Sequence, residues 1–495
     1  MHFKDLESYL LKRQALNSAL TLFSWDQETE APKKAVDQTS RFVGVLSNEY
    51  FQTVTDPKVK AILLDLAKQD LSLNEKAIVK EWLKELRKLE KIPVNEYQKH
   101  EELLMKAHHV WLEAKAKQDY QMFKPYLEKI VQQQKKFASY RIENEACLYD
   151  VLLDDYEPGF DTKRLDEFFA LLKQEIVPLL KKVQESNKVI DKSFIFQDYD
   201  LTLQREFNHW LAGYIGFDFD CGVIKESEHP FTTNFHNKDV RLTTHFYKDN
   251  LESAIFSTIH EVGHALYELN IADDITLTPI GTGVSMGMHE SQSRFYENII
   301  GRSSNFWKPI YSKLQETFPK QLQSVSFEQF VEAINRAEAS LIRTEADELT
   351  YALHVMVRYE LEKKMFSEDI DFDQLPELWN HYYKEYLGVD VKNDSVGILQ
   401  DSHWAGGLFG YFPSYALGSA IASQLYAYMQ KTMDIDEMIL RGDFKTLKDY
   451  LREHLHQFGC IYPTLTLIEK FTGETFDPHY YVDYLKSKFT RLYDL

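Results

Sequence analysis

The chain has 495 residues, of which 44% are hydrophobic and 27% are charged, and this composition is typical of a large globular protein rather than a disordered one. Its formal net charge of −20 repels nucleic-acid phosphates and anionic membrane surfaces, so we expect neither as a partner. The three cysteines, Cys147, Cys221 and Cys460, lie far apart and form no CxxC pair, which predicts reduced thiols in a cytoplasmic protein.

Most of the sequence carries the hydrophobic spacing of amphipathic helices. The first residues mix apolar and charged side chains, unlike a signal peptide or a membrane span. Residues 74–93 place apolar side chains on one helical face and end at Pro93. Residues 165–186 repeat the pattern, with Pro178 expected to kink the helix. Residues 327–366 predict one very long helix or two consecutive ones.

Strand signals are confined to residues 229–246, which are rich in Thr, Phe and Val and carry no helical stripe. They predict a hairpin or a small sheet. No flexible linker or internal repeat divides the sequence, so we expect a single domain over residues 1–495. That domain is predicted to be mainly α, with two lobes and with the motif-bearing region, about residues 229–420, between them.

A possible metal site follows the strand region, where residues 257–269 contain the pattern His-Glu-x-x-His. On a helix, His260 and His264 lie one turn apart on the same face, so both imidazoles can reach one cation. Glu261 faces a neighbouring sector, close enough to contact a metal-bound water without binding the metal. Taken alone, the pattern still allows a chance match on an ordinary helix.

A catalytic zinc requires a third protein ligand and an open fourth position. Glu290 follows His264 at a distance that allows the first helix to end and a second helix to return. Arg294 lies one turn later and could steady the Glu290 carboxylate. His289 is the competing candidate for the third ligand.

The motifs HEVGH (260–264) and HESQSR (289–294) together resemble the M32 family of metallocarboxypeptidases. Further segments fit that family's pattern in order along the chain: DVRLT (239–243), IRTEADE (342–348), GILQDSHW (397–404), GYFPSYALG (410–418) and SWDQETEAP (24–32), the last with Ala31 where Met is expected. The resemblance implies a nearly all-helical fold around a long, deep groove, similar in outline to neurolysin and angiotensin-converting enzyme. It also implies a homodimer that removes single residues from peptide C-termini with broad specificity.

The resemblance implies a zinc ion at His260, His264 and Glu290, with cobalt or manganese as possible substitutes. The ion would lower the pKa of a bound water, and Glu261 would take the proton of that water and deliver it to the departing amine. Donors to the tetrahedral oxyanion are expected from a His followed by two tyrosines, as in angiotensin-converting-enzyme-like peptidases. These candidates are His403, Tyr411 and Tyr415.

Two further roles require charged residues. Metal-bound imidazoles usually donate their second N–H to a carboxylate or carbonyl, and Glu345 and Asp347 are the candidates. The free C-terminal carboxylate of a substrate calls for a guanidinium. Arg343 is the first choice for this contact, and the other candidates are Arg358, Arg241 and Arg294.

Three alternatives differ in function. An oligoendopeptidase would share the metal site but have a groove open at both ends. An aminopeptidase would be expected to carry a Gly-x-Met-Glu-Asn pattern, which the sequence lacks. A non-catalytic helical scaffold with a structural metal would usually supply four protein ligands, often cysteines.

Overall fold

The computed structural model describes residues 1–367 and 370–495. It is 67% helix and 4% strand, which confirms the predicted mainly α class with a small sheet. The helices that precede the motif-bearing region are α1 Glu7–Thr29, α2 Val36–Val54, α3 Pro57–Leu66, α4 Leu73–Glu90, α5 Val94–Lys117, α6 Tyr120–Arg141, α7 Leu148–Tyr156, α8 Thr162–Glu185 and α9 Leu201–Ile215.

The remaining helices begin with the His-Glu-x-x-His segment and run to the end of the chain. They are α10 Leu251–Leu269, α11 Met286–Arg294, α12 Ser304–Trp307, α13 Tyr311–Thr317, α14 Pro319–Leu322, α15 Phe327–Ile334, α16 Tyr351–Ser367, α17 Leu375–Leu387, α18 Pro413–Thr432, α19 Ile435–Arg441, α20 Phe444–His454, α21 Thr464–Thr472 and α22 His479–Tyr493. Among the described residues, no helix is both long and apolar enough to cross a bilayer.

Two of the predicted amphipathic helices form where expected. Helix α4 begins at a capping box, in which Ser72 accepts from the Glu75 backbone N–H and Glu75 accepts from the Ser72 N–H. It ends at Glu90, ahead of Pro93, and buries its apolar face. Helix α8 remains helical through Pro178 and also buries an apolar face.

The segment 327–366 is two helices, not one. Helix α15 ends at Ile334, and α16 begins only at Tyr351. The Asp347 carboxylate accepts hydrogen bonds from the backbone N–H groups of Leu349 and Thr350, at 2.9 and 3.1 Å, and so satisfies orphan donors at the start of α16. The interruption leaves a stretch outside the α-helices, in which Arg343 begins a short 3-10 helix, Arg343–Glu345.

The predicted hairpin is part of a three-stranded sheet with the order β1-β3-β2. The strands are β1 Gly222–Glu226, β2 Thr232–His236 and β3 Asp239–Thr244. Strands β2 and β3 are antiparallel and form the expected hairpin, whereas β1 pairs with β3 in parallel. Strand β1 lies outside the predicted strand region, because its five residues are mostly solvent-accessible and show no regular alternation of buried and exposed side chains. Helix α10 packs against β2 and β3.

Candidate metal centre

The three predicted metal ligands lie together on α10 and α11. His260 and His264 are one turn apart on α10, and their ring centroids are 4.9 Å apart. Oε2 of Glu290 lies 3.7 Å from Nε2 of His260 and 3.5 Å from Nε2 of His264. One donor atom from each of the three residues falls within 4.8 Å of the other two. Two imidazole nitrogens and one carboxylate oxygen in this arrangement fit a divalent zinc-type ion.

The second ring nitrogen of His260 contacts an acid that the sequence did not point to. Nδ1 of His260 lies 2.8 Å from Oε2 of Glu297, which belongs to a π-helical segment, Phe295–Ile300, directly after α11. An ionised carboxylate only accepts, so His260 donates from Nδ1 and presents the Nε2 lone pair to the metal position. Glu297 is seven positions after Glu290, and this two-turn spacing is the signal that could have found it.

The second ring nitrogen of His264 contacts His289 instead of a carboxylate. The Nδ1 atoms of His264 and His289 are 2.7 Å apart, and Nε2 of His289 lies 2.7 Å from Oε1 of Glu268. Both nitrogens of His289 therefore have hydrogen-bond partners other than the metal position. Glu290, rather than His289, is therefore the third candidate ligand beside His260 and His264.

Burial and neighbouring charges act in opposite directions on the acids of this centre. Burial alone would raise the pKa of Glu290, but Arg294 and His260 hold it well below its usual value. Burial also acts to raise the pKa of Glu297, and Arg294 with His260 lowers it to about 2. Nε of Arg294 donates to Glu290 at 2.7 Å, and its Nη1 donates to Glu297 at 3.1 Å. One guanidinium thus keeps both acids ionised.

Two glycines allow the helices of the centre to approach closely. A Cβ on Gly418 of α18 would lie 2.5 Å from Cγ and 2.6 Å from Cβ of Glu290. A Cβ on Gly263 of α10 would lie 2.7 Å from the backbone oxygen of Gln292 and 2.7 Å from Cα of Ser293, both on α11. Each distance is well inside van der Waals contact. The position of Glu290 therefore depends on the absence of side chains at these two glycines.

Replacing Gly418 by alanine is expected to weaken metal binding by about tenfold or more, because the added methyl group must displace the Glu290 side chain. Equilibrium competition with a chromogenic chelator measures this change. Gly44→Ala is the matched control, since a Cβ at Gly44, on helix α2, meets no atom within 4 Å. Equal metal affinities of the two variants would contradict the close contact between α18 and Glu290.

The predicted base, Glu261, is buried beside strand β2. The Thr232 hydroxyl donates to Oε2 of Glu261 at 2.7 Å. Burial raises the pKa of Glu261 above its usual value. The carboxyl is therefore held in a fixed orientation next to the metal ligands.

The candidate oxyanion donors form one aromatic cluster. Ring centroids of His403 and Tyr411 are 5.5 Å apart, and those of Tyr411 and Tyr415 are 5.3 Å apart. Nε2 of His403 lies 3.2 Å from the Tyr415 hydroxyl. Burial, helped by Arg343, lowers the pKa of His403 to about 4, and burial raises the pKa of Tyr411 to about 12. Both side chains are neutral at pH 7.

The predicted substrate arginines differ in how accessible they are. Asp401 pairs with Arg343 at 2.9 Å and with Arg358 at 2.6 Å. The Arg358 side chain is 0% exposed, so the structure contradicts its expected contact with substrate, and Arg358 instead packs against Trp379. Arg343 is 6% exposed, and its Nη1 donates to the Tyr351 hydroxyl at 3.0 Å.

The other two arginines lie in different settings. Arg294 is 13% exposed, and Glu290 and Glu297 occupy its guanidinium. Arg241 is 24% exposed and is held in a two-pronged contact by Asp239, with Nε and Nη2 each 2.8 Å from a carboxylate oxygen. Its guanidinium carbon lies 4.4 Å from the Phe235 ring centroid. Arg241 is therefore the most accessible of the four.

The predicted acceptors for the metal-bound imidazoles, Glu345 and Asp347, do not fill that role. Asp347 accepts from the backbone at the start of α16 and from the Thr350 hydroxyl at 2.8 Å. Glu345 is exposed. Glu297 contacts His260 in their place, because the π-helical segment after α11 lies alongside α10.

Comparisons with known proteins identify a family that matches nearly the whole chain. The family described as carboxypeptidase Taq (M32) metallopeptidase matches residues 5–489. Carboxypeptidase 1 of Bacillus subtilis strain 168 is 43% identical over 98% of this chain and 97% of its own. Thermostable carboxypeptidase 1 of Thermus thermophilus is 36% identical over 99% of both chains. The crystal structure of an M32 carboxypeptidase from Deinococcus radiodurans R1 superposes with a TM-score of 0.96 at 31% identity, over 99% of both chains.

Proposed function

The chain belongs to the M32 family and is a metallocarboxypeptidase, and from this premise we propose how its own residues remove single amino acids from peptide C-termini. The observation that carries the proposal is the convergence of His260, His264 and Glu290 on one point, with Glu261 held beside them. We propose that these three ligands hold zinc, for which cobalt or manganese could substitute.

The reaction needs a base that can also act as an acid. When bound, a divalent cation supplies the Lewis acidity that activates water and polarises the scissile carbonyl. Glu261 takes a proton from the attacking water and returns it to the departing amine. Thr232 donates to one oxygen of this carboxylate and leaves the other for the proton. Burial raises the pKa of Glu261, which makes its carboxylate a stronger proton acceptor.

The negative charge that develops on the carbonyl oxygen needs hydrogen-bond donors. We assign this role to His403, Tyr411 and Tyr415, whose neutral forms can each donate. Helix α18 supports the assignment of Tyr415, because the same helix packs Gly418 closely against Glu290.

A carboxypeptidase must also bind the terminal carboxylate of its substrate. We assign this contact to Arg343 and Arg241. Arg343 borders the oxyanion cluster, with its guanidinium carbon 4.8 Å from the Tyr415 ring centroid. Arg241 offers the larger accessible surface, and among the hydrogen bonds of the described residues its Nη1 has no acceptor. Asp239 fixes the orientation of this guanidinium and leaves Nη1 available to donate to the substrate carboxylate.

An N-blocked dipeptide with a free carboxyl terminus is expected to be hydrolysed with a kcat/KM about 100-fold or more above that of the same peptide ending in an amide. The amide lacks the negative charge that the guanidinium groups of Arg343 and Arg241 are proposed to recognise. Chromatography of the products from the zinc-loaded enzyme measures the ratio. Equal rates would indicate an endopeptidase groove, and hydrolysis of neither peptide would indicate a scaffold.

Three broader expectations complete the proposal. We propose that residues 1–495 form one peptidase domain whose catalytic part is about 229–420, and that two copies associate. A sedimentation mass equal to one chain would contradict the homodimer. The three cysteines are free thiols, which supports a reducing compartment such as the cytoplasm as the place of action.

A further inference from the structure

We propose that Asn234, Glu268 and His289 are positioning residues that hold His264 in its metal-binding orientation and so determine how tightly the ion is kept. The inference rests on the proposed metal site. It adds a function for three side chains that have no role in the reaction as proposed above.

Strand β2 contacts helix α10 at two points, two helical turns apart. Thr232 and Asn234 are two positions apart on the strand, so their side chains lie on the same face of the sheet. Glu261 and Glu268 are separated by two turns and share one face of α10. The Thr232 hydroxyl donates to Glu261 at 2.7 Å, and Nδ2 of Asn234 donates to Oε2 of Glu268 at 2.5 Å. The two contacts fix different groups: the first fixes the base, and the second fixes Glu268.

Glu268 is buried and accepts from several groups at once. Its Oε1 accepts from the Thr282 hydroxyl at 2.7 Å and from the Gly283 backbone N–H at 3.0 Å, and lies 2.7 Å from Nε2 of His289. A carboxylate surrounded by donors can only accept, so Nε2 of His289 carries the hydrogen. Glu268 thereby selects the His289 tautomer that carries its hydrogen on Nε2.

The selected tautomer determines the next hydrogen bond. With its hydrogen on Nε2, neutral His289 has a lone pair on Nδ1, which lies 2.7 Å from Nδ1 of His264. His264 must then donate from Nδ1 and keep the lone pair of Nε2 for the metal. A fixed tautomer and ring orientation in a ligand raise metal affinity. Glu297 alone fixes the tautomer and orientation of His260. His264 depends instead on a series of hydrogen bonds through His289 and Glu268 to strand β2.

The test compares the zinc dissociation constants of variants by chelator competition on metal-free protein, which does not depend on peptide hydrolysis. His289→Phe removes the acceptor for His264 and is expected to weaken zinc binding by about 10- to 100-fold. His289→Asn restores an acceptor near the Nδ1 position and is expected to recover part of this loss. Asn234→Leu removes the hydrogen bond between strand β2 and Glu268. Its zinc dissociation constant is expected to lie between those of His289→Asn and His289→Phe.

Thr232→Val is the contrasting variant on the same strand. It removes the hydroxyl that holds Glu261, so kcat of the zinc-saturated enzyme is expected to fall about tenfold with an unchanged zinc dissociation constant. A dissociation constant for His289→Phe within twofold of the parent overturns the proposal, as does an equal weakening of zinc binding by Thr232→Val. If His289→Phe does not fold, Glu268→Gln provides the same readout with nearly unchanged shape. Failure of the proposed peptidase function would instead appear as intact zinc binding without hydrolysis.

Discussion

Replacing Glu261 by glutamine is expected to lower kcat by about 10²- to 10⁴-fold while the protein retains its metal. The amide has almost the shape of the carboxyl and can still accept from the Thr232 hydroxyl, which lies 2.7 Å from Oε2 in the parent. It cannot take a proton from water, so only the acid–base contribution is lost. Turnover of an N-blocked dipeptide and elemental analysis of the same sample measure the two properties separately.

A matched control separates this loss from a general effect of removing an acid. Glu185→Gln changes the same groups at the exposed end of α8, where the Glu185 carboxylate lies 3.9 Å from Lys181. We expect the control to keep full activity and full metal content, because an exposed ion pair contributes little. Activity retained in Glu261→Gln would remove Glu261 from its role. Metal lost from that variant would show that Glu261 also supports the ligands.

The candidate metal ligands could be predicted from the sequence, because their arrangement depends on local or nearly local structure. His260 and His264 need only one helical turn, and an amphipathic stripe indicates that turn. Glu290 needs only a returning helix, and α11 supplies it. The family resemblance added the oxyanion and arginine candidates. The fold class followed from hydrophobic spacing, which the helices α4 and α8 confirm.

One-turn spacing predicts the contact of Arg294 with Glu290, but the other residues around the ligands reach the centre from distant or irregular segments. Glu297 contacts His260 from a π-helical segment, so its two-turn spacing from Glu290 marks it as a candidate acid but does not identify the imidazole that it contacts. Arg358 matches an arginine candidate in sequence but is fully buried with Asp401. Burial and pairing between segments far apart in the chain depend on tertiary packing, which periodicity does not report.

Replacing Glu290 by glutamine is expected to weaken zinc binding by more than about 100-fold. This exceeds the loss expected when a residue that only hydrogen-bonds to a metal ligand is removed. A neutral amide oxygen is a poor substitute for the anionic ligand that Arg294 and His260 keep ionised. The fold should survive, since Arg294 retains Glu297 as a second carboxylate partner at 3.1 Å. Chelator competition gives the dissociation constant, and activity at saturating zinc shows how much function returns.

Glu297→Gln is the matched comparison, because it changes the same functional group one contact further from the metal. Its expected loss is about 10- to 100-fold, the usual cost of removing the acceptor behind a metal-bound imidazole. Glu290→Asp retains the negative charge on a side chain that is one methylene shorter. Its affinity for zinc is therefore expected to be higher than that of Glu290→Gln. If Glu297→Gln weakened zinc binding more than Glu290→Gln did, Glu297 would be the ligand and Glu290 its support. That reversed order would require a different ligand set from the one in which Oε2 of Glu290 lies 3.5 Å from Nε2 of His264.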